Sequence, residues 1–142
     1  LYGLDASETL KQLMPIGRFH TRVSHVHTVP PGEAVGYGAA DKSTKPRDIA
    51  TLPVGYADGL PRAAGNGRAH LFAGGQLCPT VGPVCMDGCM IDVTGLGLSV
   101  GDAVEIFGDD APIEVLASST GTIPYELLCR IPPRVRRRHL RT

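Results

Sequence analysis

Two tyrosines in this sequence stand beside glycines, in settings that suit a side chain acting on a ligand. Tyr37 lies in Gly36-Tyr37-Gly38, where flanking glycines allow a close backbone approach and unusual dihedral angles. A phenol has an ordinary pKa of about 10, so it needs a neighbouring cation to transfer protons near neutral pH. The residues alone leave open the alternative of a glycine-flanked aromatic ring at a strand bulge.

The second tyrosine belongs to the segment Gly55-Tyr56-Ala57-Asp58-Gly59. It ends a predicted strand and precedes an aspartate and a glycine, which places it at the mouth of a loop. Loop mouths often carry functional side chains. A plain turn anchored by the tyrosine is the alternative.

A third segment, Val84 to Met90, contains Cys85 and Cys89. Residues four apart on a regular strand point to the same face, but a metal site would need further ligands. The five histidines form no CxxC-like or HxxxH pattern with them, so we expect no metal site. The four cysteines are interpreted as reduced core thiols of a cytoplasmic protein.

Composition limits the classes of function. The chain has 142 residues, of which 42% are hydrophobic and 20% charged, with a net charge of zero. One domain is expected, without a membrane-spanning helix, and neither nucleic acid nor membrane is an expected partner. Residues 130–142 nevertheless hold six arginines and no acid. We expect this tail to be a solvated terminal strand or to dock on residues 69–129, which contain eight acids and no Lys or Arg.

The hydrophobic pattern is mostly that of short strands. Strands are predicted over 19–29, 48–56, 70–72, 76–81, 84–93 and 103–107. Pro53 indicates an edge strand or a bulge, and Gly74-Gly75 indicates a two-residue hairpin. A helix is predicted between Pro112 and Gly121, and a short helix begins near Asp5. The fold class is therefore mainly β: a compact Greek-key-type β-barrel or sandwich with one or two short helices.

In order along the chain, these segments resemble the C-terminal domain of bacterial alanine racemases, which use pyridoxal 5'-phosphate. The matching motifs are Val29–Glu33, Val35–Gly38, Ile49–Gly59, Val84–Asp87, Asp92–Thr94, Val100–Asp102, Gly121–Glu126 and Arg134–Arg137. Each motif alone is weak, and their common order is specific. The resemblance implies that residues 1–142 form this β-domain. It also implies that residues 1–15 mark the junction with an N-terminal, cofactor-binding TIM barrel absent from the sequence.

The resemblance implies interconversion of L- and D-alanine for peptidoglycan synthesis in a cytoplasmic homodimer. Tyr37 matches the catalytic base that one subunit supplies to the active site of its partner. Tyr125 matches a tyrosine that hydrogen-bonds the cofactor phosphate. Met86 matches a residue whose backbone N–H contacts the substrate carboxylate, and Asp87 lies beside it.

Three further residues match the substrate entrance of this family. Tyr56 would narrow it, and Arg62 and Ile123 would line its outer part. A narrow entrance favours a substrate as small as alanine on steric grounds, although one methylene changes discrimination by only about 1–3 kcal/mol.

The sequence departs from the family in an important respect. Lys11, Lys42 and Lys45 are the only lysines, and none lies in a motif for the Schiff-base lysine. We therefore expect this chain alone to be inactive. Pro83 replaces a basic or polar residue of many relatives. The segment Gly121–Glu126, in which Pro124 replaces an Asn of many relatives, also resembles racemase domains that are fused behind a cell-wall amino-acid ligase.

Two alternative functions stay open at this point. Other pyridoxal-phosphate enzymes of the same fold type racemise a broad range of amino acids, serine or lysine, or decarboxylate amino acids. The order Cys85-Met86-Asp87 favours a racemase over a decarboxylase. A small β-barrel binding module that uses its arginine tail is the second alternative.

Overall fold

The computed structural model describes residues 16–36, 38 and 41–139. The helix predicted near Asp5 and the side chain of Tyr37 lie outside these residues. Within them, no helix has the length and hydrophobicity needed to cross a bilayer. The strands are β1 (Phe19–Arg22), β2 (His25–Val29), β3 (Ala34–Val35), β4 (Asp41–Lys42), β5 (Arg47–Leu52), β6 (His70–Ala73), β7 (Gln76–Val81), β8 (Cys89–Asp92) and β9 (Ala103–Phe107), and the helices are α1 (Ile113–Thr120) and α2 (Pro124–Arg130).

Seven strands form one antiparallel sheet in the order β1-β9-β6-β7-β8-β5-β2. Its two outermost strands, β1 and β2, are consecutive in the chain and separated only by Val23 and Ser24. The sheet must therefore curl until its two edges approach each other. One hydrophobic core fills the curl, with side chains from both outer regions of the sheet, such as Phe19 and Leu52. The predicted mainly β fold is confirmed.

The strand predicted over 19–29 is in fact two strands with different partners. The backbone N–H of Val23 donates to the carbonyl of Asp102 at 2.9 Å, next to β9. The N–H of Ser24 donates to Thr51 of β5, also at 2.9 Å. The chain thus leaves one edge of the sheet and joins the other between two adjacent residues, a change that hydrophobic periodicity does not reveal.

Two other strands are shorter than predicted. The strand expected over 48–56 ends at Leu52, and Pro53 terminates it. Because β5 lies between β8 and β2, the interpretation of Pro53 as an edge or bulge residue is wrong. The strand expected over 84–93 covers only Cys89–Asp92. Its first half is a turn, in which the N–H of Cys85 donates to the carbonyl of Gly88 at 2.8 Å.

That turn also corrects the interpretation of the two cysteines. Cys89 is buried in the strand, whereas Cys85 lies in the turn and is partly exposed. They therefore do not share one face of a regular strand. Closure of the turn instead leaves the carbonyls of Cys85 and Met86 available to another segment.

The predicted hairpin is confirmed. Strands β6 and β7 pair through Ala73 and Gln76, and both central glycines have positive φ, 59° at Gly74 and 87° at Gly75. Two positive φ values match the twist of the flanking strands, which explains the selection of two glycines. Strand β9 also lies where the sequence predicts it.

Helix α1 agrees with prediction, and α2 was missed. Leu116 and Ala117 of α1 are buried, and Gly121 ends the helix with a φ of 72°. Pro112 immediately precedes α1 instead of lying within its first turn. Helix α2 has seven residues, of which only Leu127 is fully buried. Two turns with one buried position give too little periodicity for detection.

A small second hydrophobic cluster supports the β3–β4 hairpin. It consists of Val29, Val35, Ile49 and Val81, with Met90 packed against them. Arg47 of β5 also contacts this hairpin, because its Nη2 donates to Asp41 Oδ1 of β4 at 3.0 Å. The segment between β3 and β4, which includes position 37, is thus joined to the sheet at both of its ends.

The arginine tail does not form a strand in the part that the structure describes, which ends at residue 139. Arg137 folds the tail back on the end of α2, because its Nη2 donates to the carbonyl of Ile131 at 2.8 Å. Arg134 donates to Asp58 Oδ1 at 2.7 Å. Asp58 lies outside residues 69–129. Among the described residues, Arg130 is the tail arginine that pairs with an acid of that region, Glu126, and the two lie one turn apart in α2. The tail beyond α2 therefore does not dock on the acidic region as expected.

Candidate functional site

The residues from Gly55 to Gly59 form one turn of 3₁₀ helix, Tyr56–Asp58, with an internal lock. The N–H of Asp58 donates to the carbonyl of Gly55 at 3.0 Å. The N–H of Gly55 in return donates to Asp58 Oδ2 at 2.9 Å. This reciprocal pair resembles the capping box of an α-helix, with the aspartate three residues after the first residue of the turn. The turn fixes the backbone that presents Tyr56.

The turn lies directly on the Cys85–Met86 segment. The N–H of Tyr56 donates to the carbonyl of Cys85 at 3.0 Å, and that of Ala57 donates to the carbonyl of Met86 at 2.9 Å. A Cβ on Gly55 would lie 2.3 Å from the Cys85 oxygen and 2.5 Å from the Met86 carbonyl carbon and oxygen. Only glycine permits this approach, which explains its presence before Tyr56. The structure therefore brings the second and third predicted segments together.

The side chains in this assembly face outward. Tyr56 is 44% exposed and Met86 is 58% exposed, and Asp87 is also exposed. The N–H of Met86 has no hydrogen-bond acceptor within residues 16–36, 38 and 41–139. A backbone donor without an acceptor, in an exposed residue, suits the binding of a small anionic group such as a carboxylate.

The three remaining predicted residues lie around the two helices. Ile123 immediately precedes α2 and is 59% exposed, and Tyr125 in its first turn is 45% exposed. Arg62 begins the second 3₁₀ helix, Arg62–Ala64, and is exposed. Helix α1 packs against both this 3₁₀ helix and α2. The helical layer thus holds Arg62, Ile123 and Tyr125 at the molecular surface.

The two helical regions are linked through Gly59. With a φ of 109°, Gly59 lies close to Ile131 at the end of α2, and a Cβ there would lie 3.1 Å from the Cα of Ile131. The turn that carries Tyr56 therefore packs against the residue that ends the helix of Tyr125. Tyr37, the seventh and central member of the predicted set, lies outside the residues that the structure describes.

Two buried cysteines, Cys78 and Cys89, have raised pKa values. Burial, and to a lesser extent the neighbouring Cys85, raises the pKa of Cys89 to about 12. Burial, followed by the Asp92 carboxylate, also raises the pKa of Cys78. A thiol with a raised pKa is a poor nucleophile. Cys78 and Cys89 are therefore core residues and not reactive groups of the site. Cys85 is partly exposed and Cys129 is exposed, so the interpretation of all four cysteines as core thiols is wrong for these two.

Sequence reasoning missed one ion pair at the site, that of Asp58 and Arg134. The side chain of Asp58 is 18% exposed, and both of its oxygens accept hydrogen bonds, from Gly55 and from Arg134. The spacing of Gly55 and Asp58 could have indicated the lock within the turn. No local pattern connects residue 58 with residue 134.

Comparison with known proteins gives one consistent result. Residues 16–139 match the family model described as "Alanine racemase, C-terminal domain". The chain is 38% identical over 151 residues to the alanine racemase of Clostridium novyi, which covers 99% of the chain and 39% of that protein. It is 45% identical over 120 residues to the alanine racemase of Alcanivorax borkumensis, covering 84% of the chain and 34% of that protein.

Solved structures agree with the sequence matches. The biosynthetic alanine racemase of Pseudomonas aeruginosa superposes with a TM-score of 0.88 at 35% identity, covering 97% of the chain and 38% of that protein. The alanine racemase of Bartonella henselae, with covalently bound pyridoxal phosphate, gives a TM-score of 0.81 at 32% identity over 86% of the chain and 34% of that protein. The chain thus spans less than two fifths of the length of these relatives. It belongs to the alanine racemase family and corresponds to the C-terminal domain of those enzymes.

Proposed function

We propose that this domain contributes part of the active site of a pyridoxal-phosphate-dependent alanine racemase, which interconverts L- and D-alanine. The observation that carries the proposal is the docking of the Tyr56 turn on Met86. It joins two exposed residues, Tyr56 and Met86, through backbone hydrogen bonds, and the N–H of Met86 has no acceptor among the described residues. Family membership over residues 16–139 supports the same reaction.

Each residue of the proposed site has a separate task. The N–H of Met86, next to Asp87, binds the substrate carboxylate. Tyr56 narrows the entrance and disfavours side chains larger than a methyl group. Tyr37, which the β3–β4 hairpin carries, transfers a proton to or from one face of the substrate α-carbon. Arg62 and Ile123 line the outer part of the entrance.

The residues of the domain fit pyridoxal phosphate only in part. Tyr125, a residue that is 45% exposed, is the proposed contact to a phosphate oxygen. The three lysines are Lys11, Lys42 and Lys45, and Lys42 lies on β4 in a two-stranded hairpin. The lysine that holds the cofactor is therefore assigned to a separate barrel domain. When bound, the cofactor accepts the electron pair left on the α-carbon by proton removal.

The site would be shared between subunits of a homodimer, with Tyr37 of one subunit serving the cofactor of the other. The enzyme would act in the cytoplasm. Its cysteines, Cys78, Cys85, Cys89 and Cys129, are all free thiols, as is typical of proteins in a reducing compartment. Alanine is the proposed substrate, which agrees with a relative from Bacillus anthracis solved with bound L-Ala-P.

The proposal is tested with the protein made from its complete reading frame and loaded with pyridoxal phosphate. Conversion of L-alanine to D-alanine is expected, with much weaker conversion of serine and lysine. No racemisation of any of the three would refute the proposal. Preferred racemisation of serine or lysine would refute the assignment of alanine as substrate.

The role of Tyr37 is tested in the same protein by exchange of the α-proton with deuterium from the solvent. Tyr37→Phe is expected to abolish exchange for one alanine enantiomer and to retain it for the other. Tyr56→Phe is the control, because it keeps a ring at the entrance, and it should retain exchange for both. Equal loss from both enantiomers in Tyr37→Phe would contradict a base that acts on one face.

A further inference from the structure

The arginine tail and the proposed substrate site meet at a single carboxylate. Asp58 Oδ1 accepts a hydrogen bond from Arg134 Nη2 at 2.7 Å, and its Oδ2 accepts one from the N–H of Gly55 at 2.9 Å. Both oxygens are therefore engaged. The side chain of Asp58 is 18% exposed, whereas that of Arg134 is 56% exposed.

From this carboxylate, a chain of hydrogen bonds leads to Met86. Asp58 holds Gly55 and so closes the turn that contains Tyr56. The same turn binds the carbonyls of Cys85 and Met86 through the N–H groups of Tyr56 and Ala57. A change in the orientation of Asp58 would therefore move both the turn that carries Tyr56 and the segment that carries Met86.

The segment that carries Arg134 is also held in place by the fold. Val135, the neighbour of Arg134, packs against the hydrophobic core, and its N–H donates to the carbonyl of Pro132 at 3.1 Å. Arg137 donates to the carbonyl of Ile131 at 2.8 Å. The tail thus holds the Arg134 guanidinium from a folded segment, and an ion pair with a fixed partner orients a carboxylate better than a mobile one.

We propose that Asp58 and Arg134 are positioning residues for the substrate site, and that their ion pair holds Tyr56 and Met86 in the arrangement that selects alanine. This inference rests on the proposed function for its catalytic consequence, and on the hydrogen bonds alone for its structural consequence. Neither residue is assigned a contact with the substrate.

The test compares Arg134→Met, Arg134→Lys and Arg136→Met in the complete protein. Arg136 lies in the same arginine-rich tail and is the matched control for loss of charge. Its guanidinium donates no hydrogen bond within the described residues, which end at 139. The first readout is hydrogen exchange of the peptides covering residues 55–60 and 103–107, which needs no enzymatic activity.

Arg134→Met is expected to speed exchange in 55–60 about three- to fivefold, because a half-exposed ion pair contributes modestly. Exchange in 103–107, which covers β9 in the core, should not change. Arg134→Lys should restore slower exchange in part, and Arg136→Met should match the parent. Equal acceleration in both peptides, or no acceleration in 55–60, would overturn the proposal.

The second readout is steady-state kinetics. In Arg134→Met, KM for alanine should rise about three- to fivefold with a smaller change in kcat, and the preference for alanine over serine should fall. Arg134→Lys should recover part of both effects, whereas an unchanged KM and preference in Arg134→Met would overturn the positioning role. If the parent protein lacks racemase activity, the proposed function fails, and the exchange readout still decides whether Arg134 orders the turn.

Discussion

The backbone N–H of Tyr56 donates to the carbonyl oxygen of Cys85 at 3.0 Å, across 29 positions of sequence. The N–H of Ala57 also donates to the carbonyl of Met86. The two bonds join the turn that follows β5 to the turn that precedes β8. Each segment alone is an ordinary turn. Their pairing joins two exposed residues, Tyr56 and Met86, that lie far apart in the sequence.

The first prediction concerns Gly55, on which this pairing depends. In Gly55→Ala the new Cβ would lie 2.3 Å from the Cys85 oxygen, a distance that forces the two backbone segments apart. We expect loss of the Tyr56–Cys85 hydrogen bond, a lower unfolding free energy, and at least a tenfold rise in KM for alanine. Steady-state kinetics and urea unfolding of the complete protein measure these effects.

Gly88→Ala is the matched control, because Gly88 lies in the Cys85–Gly88 turn on which the Gly55 turn docks. Its Cβ would meet only the Leu52 carbonyl oxygen, at the ordinary contact distance of 3.6 Å. Kinetics and stability close to those of the parent are expected. If Gly55→Ala behaves like Gly88→Ala, the close backbone approach does not matter for the site.

Local patterns in the sequence predict only part of this arrangement. The hairpin at Gly74-Gly75 and the end of α1 at Gly121 follow from glycines whose positive φ the turns require. By contrast, the split between β1 and β2 depends on which strand lies beside Val23 and beside Ser24. Neighbour identity of that kind is a tertiary property. The apolar positions change phase between Val23 and Val26, but a change of phase does not say which strand each segment joins.

The candidate site is likewise predictable from local sequence only in part. Tyr56 and Met86 were identified from family-like motifs, yet nothing local says that one turn docks on the other. The ion pair of Asp58 and Arg134 joins residues 76 positions apart. The strand that begins at Cys89 is shorter than predicted for a local reason: Pro83 and Gly88 flank the turn that precedes it.

The second prediction concerns Arg47, whose guanidinium lies between the carboxylates of Asp41 and Asp92, at 3.0 and 4.0 Å. Its side chain is 15% exposed. Arg47→Met would leave two partly buried carboxylates without their cation, so we expect a loss of about 1–3 kcal/mol in unfolding free energy. Denaturant unfolding of the complete protein measures it.

The comparison for Arg47 is Arg18→Met, which removes an ion pair with Asp109. Both side chains of that pair are more than half exposed, and exposed pairs contribute about 0–1 kcal/mol. An equal loss of unfolding free energy in the two variants would show that burial does not increase the contribution of Arg47 to stability. A larger loss in Arg47→Met supports its role in joining the β3–β4 hairpin to the sheet.

The third prediction uses two leucines of the β6–β7 hairpin. Leu71 has no exposed surface, and Leu77 is 48% exposed. Leu71→Ala opens a cavity inside the curled sheet and should reduce the unfolding free energy by about 2–5 kcal/mol. Leu77→Ala removes the same atoms from a half-exposed position and should cost about 1 kcal/mol or less. Similar losses in urea unfolding would mean that the core does not lie inside the curl.

The fourth prediction concerns thiol reactivity. Cys129 is exposed, whereas Cys89 is buried. Because burial raises the pKa of Cys89 to about 12, only about one molecule in 10,000 carries its thiolate at pH 8. Alkylation of the native protein at pH 8, followed by peptide mass mapping, should label Cys129 first and leave Cys89 unlabelled until the protein unfolds.

The raised pKa of Cys89 also determines how the unfolding free energy changes with pH. An unfolded chain releases the Cys89 proton near the ordinary value of 9.0, while the folded chain retains it until about pH 12. The unfolded state therefore binds fewer protons between these values, and the contribution of Cys89 to stability, complete below pH 9, falls as the pH rises. Cys89→Ala removes the titrating group, so its unfolding free energy should depend less on pH between 9 and 11 than that of the parent. Equal pH dependence in the two proteins, or rapid native labelling of Cys89 at pH 8, would contradict its placement in the core.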